Sequence, residues 1–260
     1  MRIQPKKTRL AATLGIALGT VTIAAQVGAE EYDAPEEPFA VAKLFFQLND
    51  TDGDLGIHMV VDGDPWKMLE IDGPDDRRLL LIRTQSKLRR QGLTELRFES
   101  AEPQFDELPP ARFFARFPEG EYDIEGMGLE GQEFESTVLI THVIPAAPDN
   151  LRVGGMETPE DCDEGPVPSV DAGAATISWD AVDSSHEDLG RTGVIDVERY
   201  EVAVEREDPP LTLTFDVGPN VLDFAIPAAL LGSGDEIKFQ VLVTDAGGNE
   251  TSSESCFEVN

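Results

Sequence analysis

The chain has 260 residues, and its 51 acidic side chains outnumber its 20 basic ones, giving a formal net charge of −31. Because this charge repels the phosphates of nucleic acid, we expect no nucleic-acid partner. A hydrophobic fraction of 40% and 13 phenylalanines are sufficient for packed cores, which excludes a wholly disordered protein.

Residues 1–29 have the features of a secretory signal peptide. Four basic residues precede an apolar or small stretch from Leu10 to Ala25, and Val27-Gly28-Ala29 supplies the small residues of a cleavage site. The stretch is shorter than the roughly 20 residues that a spanning helix needs, and no later stretch is long enough. We therefore predict export, to the periplasm or the medium, without a membrane span. Cleavage would leave a net charge of −35.

The region that follows predicts mostly short strands. Residues 30–38 are an acidic, proline-containing leader, and residues 39–145 are expected to form an N-terminal β-sandwich-like domain. Its apolar segments predict strands at 41–48, 57–61, 66–71, 79–82, 93–98, 122–124 and 138–140, with a turn at 62–65. One helix is expected from Pro109 to Phe117, with its phenylalanines on one face.

The segment from Ile144 to Pro148 contains two prolines and is the predicted domain boundary. Beyond it, alternating polar and apolar residues predict strands at 175–179, 200–204, 211–215, 224–226, 237–243 and 256–259. Such a series of short strands is typical of a two-sheet sandwich. The predicted fold class is therefore all-β, with two β-sandwich domains, the second covering residues 146–260.

Four motifs of the second half point to a known family. Pro148-Asp-Asn-Leu151-Arg-Val153 is similar to a first strand, Trp179 to the core tryptophan of a second, and Tyr200-Glu-Val202 to a third. The segment from Gly234 to Val241 is similar to the approach to a sixth strand. By these motifs residues 146–260 resemble a fibronectin type III domain, which implies a two-layer sandwich and says little about function.

The second half also departs from that family. Ile237 stands where the family usually has a corner tyrosine, so no corner hydrogen bond is expected there. The segment 154–173 is an insertion, the loop 180–196 is long and acidic, and no Arg-Gly-Asp occurs, so an integrin-type site is not implied. The whole chain resembles exported bacterial proteins of this layout, which implies a compartment and an architecture but no activity.

The only two cysteines are Cys162 and Cys256. In an exported chain, two cysteines most simply form one disulfide, and without a nearby histidine they make a poor zinc site. Two free thiols are the alternative. We predict the disulfide.

An acidic loop at residues 49–56 is the sharpest chemical motif. Three aspartates alternate in it: Asp50, Asp52 and Asp54. This spacing resembles the start of an EF-hand loop, but Leu55 replaces the required glycine and Val61 the twelfth-position glutamate. We expect a looser calcium site between two strands, completed by Asp62 or Asp64 and by backbone carbonyls. The alternative is an acidic turn whose side chains bond their own backbone.

Seven of the basic residues lie between residues 77 and 97: Arg77, Arg78, Arg83, Lys87, Arg89, Arg90 and Arg97. This basic strip is interpreted as neutralising the protein's own acidic surface. The alternative is a surface that binds an anionic polysaccharide or an acidic partner.

No catalytic motif stands out from the sequence. His58, His142 and His186 are scattered, and neither a nucleophile elbow, a zinc-protease motif nor a phosphate-binding glycine loop occurs. The leading hypothesis is a non-catalytic exported binding or adhesion protein, calcium-dependent if the acidic loop binds the ion. Its partner would be an extracellular protein or glycan. Two alternatives stay open, an enzyme or enzyme accessory acting on extracellular polysaccharide or protein, and a structural envelope component.

Overall fold

The computed structural model describes residues 36–162 and 165–260. The predicted signal peptide and residues 30–35 of the acidic leader lie outside these ranges. Glu37, at the end of the leader, pairs with Phe134, and its backbone exchanges 3.0 Å hydrogen bonds with Glu133 and Glu135. Within the described ranges, no helix has the length and apolar character needed to cross a membrane.

In the first half, the described residues 36–145 contain six strands and two short helices. In chain order they are β1 (Val41–Asn49), β2 (Asp54–Asp72), β3 (Arg78–Arg83), α1 (Ser86–Gln91), β4 (Leu93–Glu99), α2 (Pro110–Phe114), β5 (Gly120–Gly128) and β6 (Glu133–Ile140). The predicted strands are present, and the hairpin expected from 122–124 and 138–140 pairs Tyr122 with Val138. The helix predicted from Pro109 is shorter than expected, and α1 was not predicted.

Strand β2 runs through the segment predicted as a turn. It continues from Asp54 to Asp72, and the pairing register shifts between Asp62 and Trp66. The turn prediction at 62–65 was therefore wrong, because glycine and proline here produce a β-bulge instead of a reversal. The bend lets one strand serve two layers. Its first part pairs with β1 and β4, and its second part with β5 and β3.

The core of the first half lies between these two layers. Alternate residues of β1, including Leu44, Phe46 and Leu48, point inward and are almost completely buried. Phe113 and Phe114 of α2 cover this core, their ring centroids 5.5 and 5.6 Å from that of Phe46. Residue Tyr122 of β5 is fully buried and donates a 2.9 Å hydrogen bond to the carbonyl of Pro118. This hydrogen bond from a tyrosine hydroxyl to an upstream carbonyl resembles the tyrosine corner of immunoglobulin-like sandwiches. Here it lies in the first half.

In the second half, the described residues 146–162 and 165–260 contain nine strands. They are β7 (Arg152–Val153), β8 (Met156–Glu157), β9 (Ser169–Val170), β10 (Thr176–Ser178), β11 (Val197–Arg206), β12 (Leu211–Val217), β13 (Asp223–Ala225), β14 (Glu236–Asp245) and β15 (Glu250–Val259). One sheet has the order β13-β10-β7-β8, and β12-β11-β14-β15 form the facing layer. This arrangement is fibronectin type III-like, which confirms both the resemblance and the all-β fold class.

The second core contains the residues that suggested the family. Trp179 follows β10 directly, and its ring centroid lies 5.4 Å from that of Tyr200 on β11. The hydroxyl of Tyr200 accepts a 2.9 Å hydrogen bond from the Val182 amide. The disulfide is also confirmed. Cys162 in the insertion bonds Cys256 on β15, with their Cα atoms 6.0 Å apart.

The two halves share one continuous sheet. Strand β1 pairs in parallel with β15, matching Gln47 with Glu250 and Asn49 with Ser252. The described residues form one compact unit with two hydrophobic cores, one on either side of this joint. The domain boundary at 145/146 stays a prediction.

The polar start of β15 holds this joint together. The buried Asn249 side chain accepts a hydrogen bond from the Phe46 amide and donates to the carbonyls of Thr141 and Val143, each at 2.9 Å. The Thr251 hydroxyl donates to Pro145 at 2.7 Å. Because the buried side chains of Asn249 and Thr251 bond backbone groups of the first half, these bonds help to orient the two halves.

Candidate functional site

The shared sheet forms a groove where the two halves meet. We call it the junction groove, and its volume is about 700 Å³. It is lined by the outward faces of β1, β2 and β4 in the first half and of β11, β14 and β15 in the second. The charged residues lining it are Lys43, His58, Asp62, Glu95, Arg97, Glu99, Arg199, Glu201 and Glu250.

The alternation of strand side chains explains why this face is polar. On β1, Lys43, Phe45 and Gln47 point into the groove, while the residues between them enter the core. Strand β14 is buried on both faces from Val241 to Asp245. Leu242 and Thr244 lie on the face of this strand that forms the groove floor. The groove therefore combines a buried floor with charged sides.

Glu250 is the most buried carboxylate of the groove, with 7% of its surface exposed. Its Oε1 accepts hydrogen bonds from the Thr244 hydroxyl at 2.9 Å and from Arg199 Nη2 at 3.0 Å. Burial raises the pKa of Glu250, while the bonds from Thr244 and Arg199 oppose that increase. Arg199 also contacts Asp216 at 2.9 Å. The arginine is therefore fixed in place between two strands.

An imidazole and an aromatic ring form the opposite wall. His58 Nε2 lies 2.8 Å from Glu102 Oε1, which holds the orientation of its ring. The ring of Phe45 stacks on His58 at a centroid distance of 5.6 Å. Gln240 on the floor donates to Ser252 at 2.9 Å and to Glu254 at 3.2 Å. The groove thus offers amide and carboxylate groups beside an aromatic surface, the combination that recognises polar ligands.

The acidic loop lies at one end of the shared sheet, and its aspartates are engaged separately. Asp50 Oδ1 is 2.9 Å from His186 Nε2 in the long loop of the second half. Asp52 accepts a 3.2 Å hydrogen bond from the Asn49 amide, and its own backbone amide donates to Asn49 Oδ1 at 3.3 Å. These are the bonds of an acidic turn.

The third aspartate of the loop faces other carboxylates. Burial raises the pKa of Asp54 to about 6, and the negative charges of Glu102 and Asp52 add to the increase. Asp62 is not close to this loop, because it follows Asp54 by eight residues on the same strand, about 26 Å in extended backbone. It lines the junction groove instead.

The three loop aspartates and Asp62 therefore do not surround a single point. In the described part of the chain, no group of three or more histidine, cysteine, aspartate or glutamate side chains is placed to hold a metal ion. Calcium needs six to eight oxygen ligands, so this arrangement does not fit a preformed calcium cage. Calcium binding stays a prediction for solution measurement.

The long loop of the second half, residues 180–196, also reaches the joint between the two halves. The backbone amides of His186 and Arg191 donate to the carbonyls of Ile144 and His142, at 2.7 and 2.8 Å. Gly190 has a φ of 69°, and a Cβ there would lie 2.0 Å from the His142 carbonyl. Only glycine fits this contact.

Sequence reasoning missed the junction groove. A signal was present in the polar run from Asn249 to Ser255, which is too polar for a strand with one ordinary buried face. Only residues 256–259 were predicted as strand, yet β15 begins at Glu250. Serine and threonine are tolerated there because their hydroxyls bond backbone carbonyls of other segments, as Ser255 does with Pro159 at 2.6 Å.

Comparison with known proteins adds only a distant likeness to solved structures. No protein-family model and no curated protein matches the chain. A two-domain fibronectin type III segment of chicken tenascin is 10% identical, with 84% of this chain and 97% of that chain covered and a TM-score of 0.30. Domains FN1–FN3 of chicken CNTN1 are 9% identical, with 86% and 69% covered and a TM-score of 0.33. These low scores carry no argument about function.

Proposed function

We propose that the protein is an exported, non-catalytic binding protein whose junction groove holds a neutral extracellular glycan. The observation that carries this proposal is the parallel pairing of β1 with β15, which gives the groove a continuous sheet as its floor. A floor fixed by hydrogen bonds needs little reorganisation when a ligand binds, and this lowers the entropic cost of binding.

The chemistry of the walls supports a sugar ligand. Gln240 and Gln47 supply neutral hydrogen-bonding groups, and Phe45 supplies an aromatic surface against which a sugar ring can pack. Five acidic residues face three lysine or arginine residues in the groove, so its net charge disfavours sulfated or uronic-acid glycans. The groove is therefore expected to select uncharged chains.

Export is part of the same proposal. The disulfide supports it, because such bonds persist in oxidising compartments and are rare in the cytosol. The signal-peptide pattern of residues 1–29 supports it from the sequence.

A binding measurement tests the function. Calorimetry with neutral oligosaccharides should detect saturable binding by the mature chain, and Phe45→Ala should weaken it at least tenfold. Val194→Ala is the matched control, since Val194 is 92% exposed and does not line the groove. Equal affinity of the Phe45 and Val194 variants, or stronger binding of sulfated oligosaccharides, would reject the groove as a neutral-glycan site.

A glycan-hydrolysing enzyme is a second candidate because of Glu250. A buried carboxyl with a raised pKa in a groove is typical of a general acid. Its engagement by Arg199 and Thr244 favours a positioning role instead. Release of reducing ends from a bound oligosaccharide, abolished by Glu250→Gln, would establish the enzyme.

A further inference from the structure

A second concave site lies in the first half. We call it the apolar slot. It has a volume of about 320 Å³ and opens between β3 and β4. Its lining residues are Leu44, Ile57, Ile71, Leu79, Leu80, Ile82, Leu96, Phe98, Ser100 and Phe117. Ser100 is the only polar residue among them, so the slot favours an apolar group.

The bend of β2 creates the slot. Strands β3 and β4 each pair with β2, and no other described strand pairs with either of them. They are therefore the edges of the two layers, and the core is accessible between them. Leu79 and Leu81 of β3 are 40% and 41% exposed. A free edge with exposed apolar residues is a template for an added strand.

Unpaired cations lie next to this edge. Among the described residues, Arg77, Arg78 and Arg97 pair with nearby acids, as the sequence analysis predicted for the basic strip. The other four members have no ion-pair partner there: Arg83, Lys87, Arg89 and Arg90. All four are exposed. In a chain with 51 acidic residues, four unpaired cations together need an explanation beyond self-neutralisation.

The position of these cations connects them to the slot. Arg83 directly follows Ile82, a slot residue, and Lys87, Arg89 and Arg90 lie on α1, which joins β3 to β4. Gly92, which follows this helix, packs closely against the bend of β2 and fixes the helix there. A Cβ atom at Gly92 would lie only 2.9 Å from the side chain of Pro65. The positive charge is therefore placed at the bent end of the slot.

We propose that the apolar slot binds an extended, acidic segment of a partner protein. The segment adds as a strand to the free edge of β3, inserts an apolar side chain between β3 and β4, and places its carboxylates against Arg83 and α1. Backbone hydrogen bonds supply affinity in this mode, the apolar side chain supplies specificity, and charge-assisted bonds orient the segment. Phe98 of β4 is the one residue that lines both this slot and the junction groove.

Synthetic peptides test the proposal directly. The probe is a fluorescent ten-residue peptide with alternating valine and threonine at its centre and two glutamates at each end. We expect saturable binding of this peptide, measured by fluorescence anisotropy. Two control peptides, one with lysines in place of the glutamates and one with serines in place of the central valines and threonines, should bind with at least tenfold lower affinity. Equal binding of the three peptides would overturn the proposal, as would binding to anionic lipid vesicles but not to the acidic peptide.

Surface variants locate the binding. The double variant Arg89→Ser/Arg90→Ser and the variant Leu79→Ser should each weaken binding at least fivefold. The matched controls are Arg77→Ser, which removes a paired arginine, and Leu139→Ser, which removes a 60% exposed leucine of β6. Both should bind as the wild type does. Loss of binding in the controls, or unchanged binding in the slot variants, would overturn the assignment, and circular dichroism confirms that each variant is folded.

Discussion

Asn249→Ala tests the joint between the two halves. The side chain makes three hydrogen bonds of 2.9 Å, all to backbone groups of the first half, and is 2% exposed. Each such bond contributes about 1 kcal/mol net, and a buried group left unpaired costs more, so the expected loss is about 3–5 kcal/mol. At about 3 °C per kcal/mol for a chain of this size, the Tm should fall by about 9–15 °C.

Two tryptophans make the measurement specific to each half. Trp66 is buried in the first core and Trp179 in the second. In urea titrations of the single-tryptophan variants Trp66→Phe and Trp179→Phe, the two halves should unfold together when Asn249 is present. Because Asn249→Ala weakens the joint, the two transitions should separate. Coincident transitions in that background would refute the reasoning.

Matched controls complete this prediction. Asn220→Ala removes an exposed asparagine and should change the free energy of unfolding by less than about 0.5 kcal/mol. Asn249→Asp keeps an acceptor for the Phe46 amide but places a carboxylate against two carbonyls, so it should be at least as destabilising as alanine. If Asn249→Ala is no more destabilising than Asn220→Ala, the joint does not depend on this residue.

Three further predictions concern stability. Cys162 and Cys256 close a loop with a sequence separation of 94, and replacing both with serine opens it. The free energy of unfolding measured in urea should fall by about 4–5 kcal/mol. A loss below about 1 kcal/mol would contradict this prediction. The pKa of Asp54 is raised to about 6 in the folded chain, so the folded chain holds the Asp54 proton more tightly than the unfolded chain does. The stability that this difference contributes is present near pH 4 and is lost as the pH rises through 6. Between pH 5 and 7.5, the free energy of unfolding should therefore fall less in Asp54→Asn than in the wild type. Parallel pH profiles of the two unfolding free energies would disprove this. The calcium hypothesis predicts a saturable rise of Tm with calcium, absent with magnesium and in Asp52→Asn; an unchanged melt would identify the loop as an acidic turn.

The strand pattern could be read from the sequence because it depends on local chemistry. The alternation in β11 and β12 reflects the two-residue period of strand side chains, and β1 and β3 were recognised as short apolar segments. The fibronectin-like half was recognisable because Trp179 and Tyr200 occupy core positions of that sandwich. The disulfide followed from there being only two cysteines in a chain that we predicted to be exported.

The errors arose where local signals were ambiguous. Gly63 and Pro65 indicate a turn in isolation, but β1, β4 and β5 pair on both sides of the bend and keep β2 continuous. Helix α1 was not predicted because its six residues have no buried face. The assignment of Asp62 to the acidic loop assumed that nearby residues converge, whereas an extended strand separates them.

By itself, the sequence determined the all-β class, the family resemblance of the second half and the disulfide, whereas export stays a prediction. Each depends on short-range periodicity, composition or a few marker residues. The tertiary structure alone decided the shared sheet, the junction groove and the apolar slot. The reason is that these features are made by residues far apart in the chain, such as Phe46 and Asn249, which are separated by 203 positions. No local pattern records such a contact, because it depends on which strand edges meet when the two cores pack.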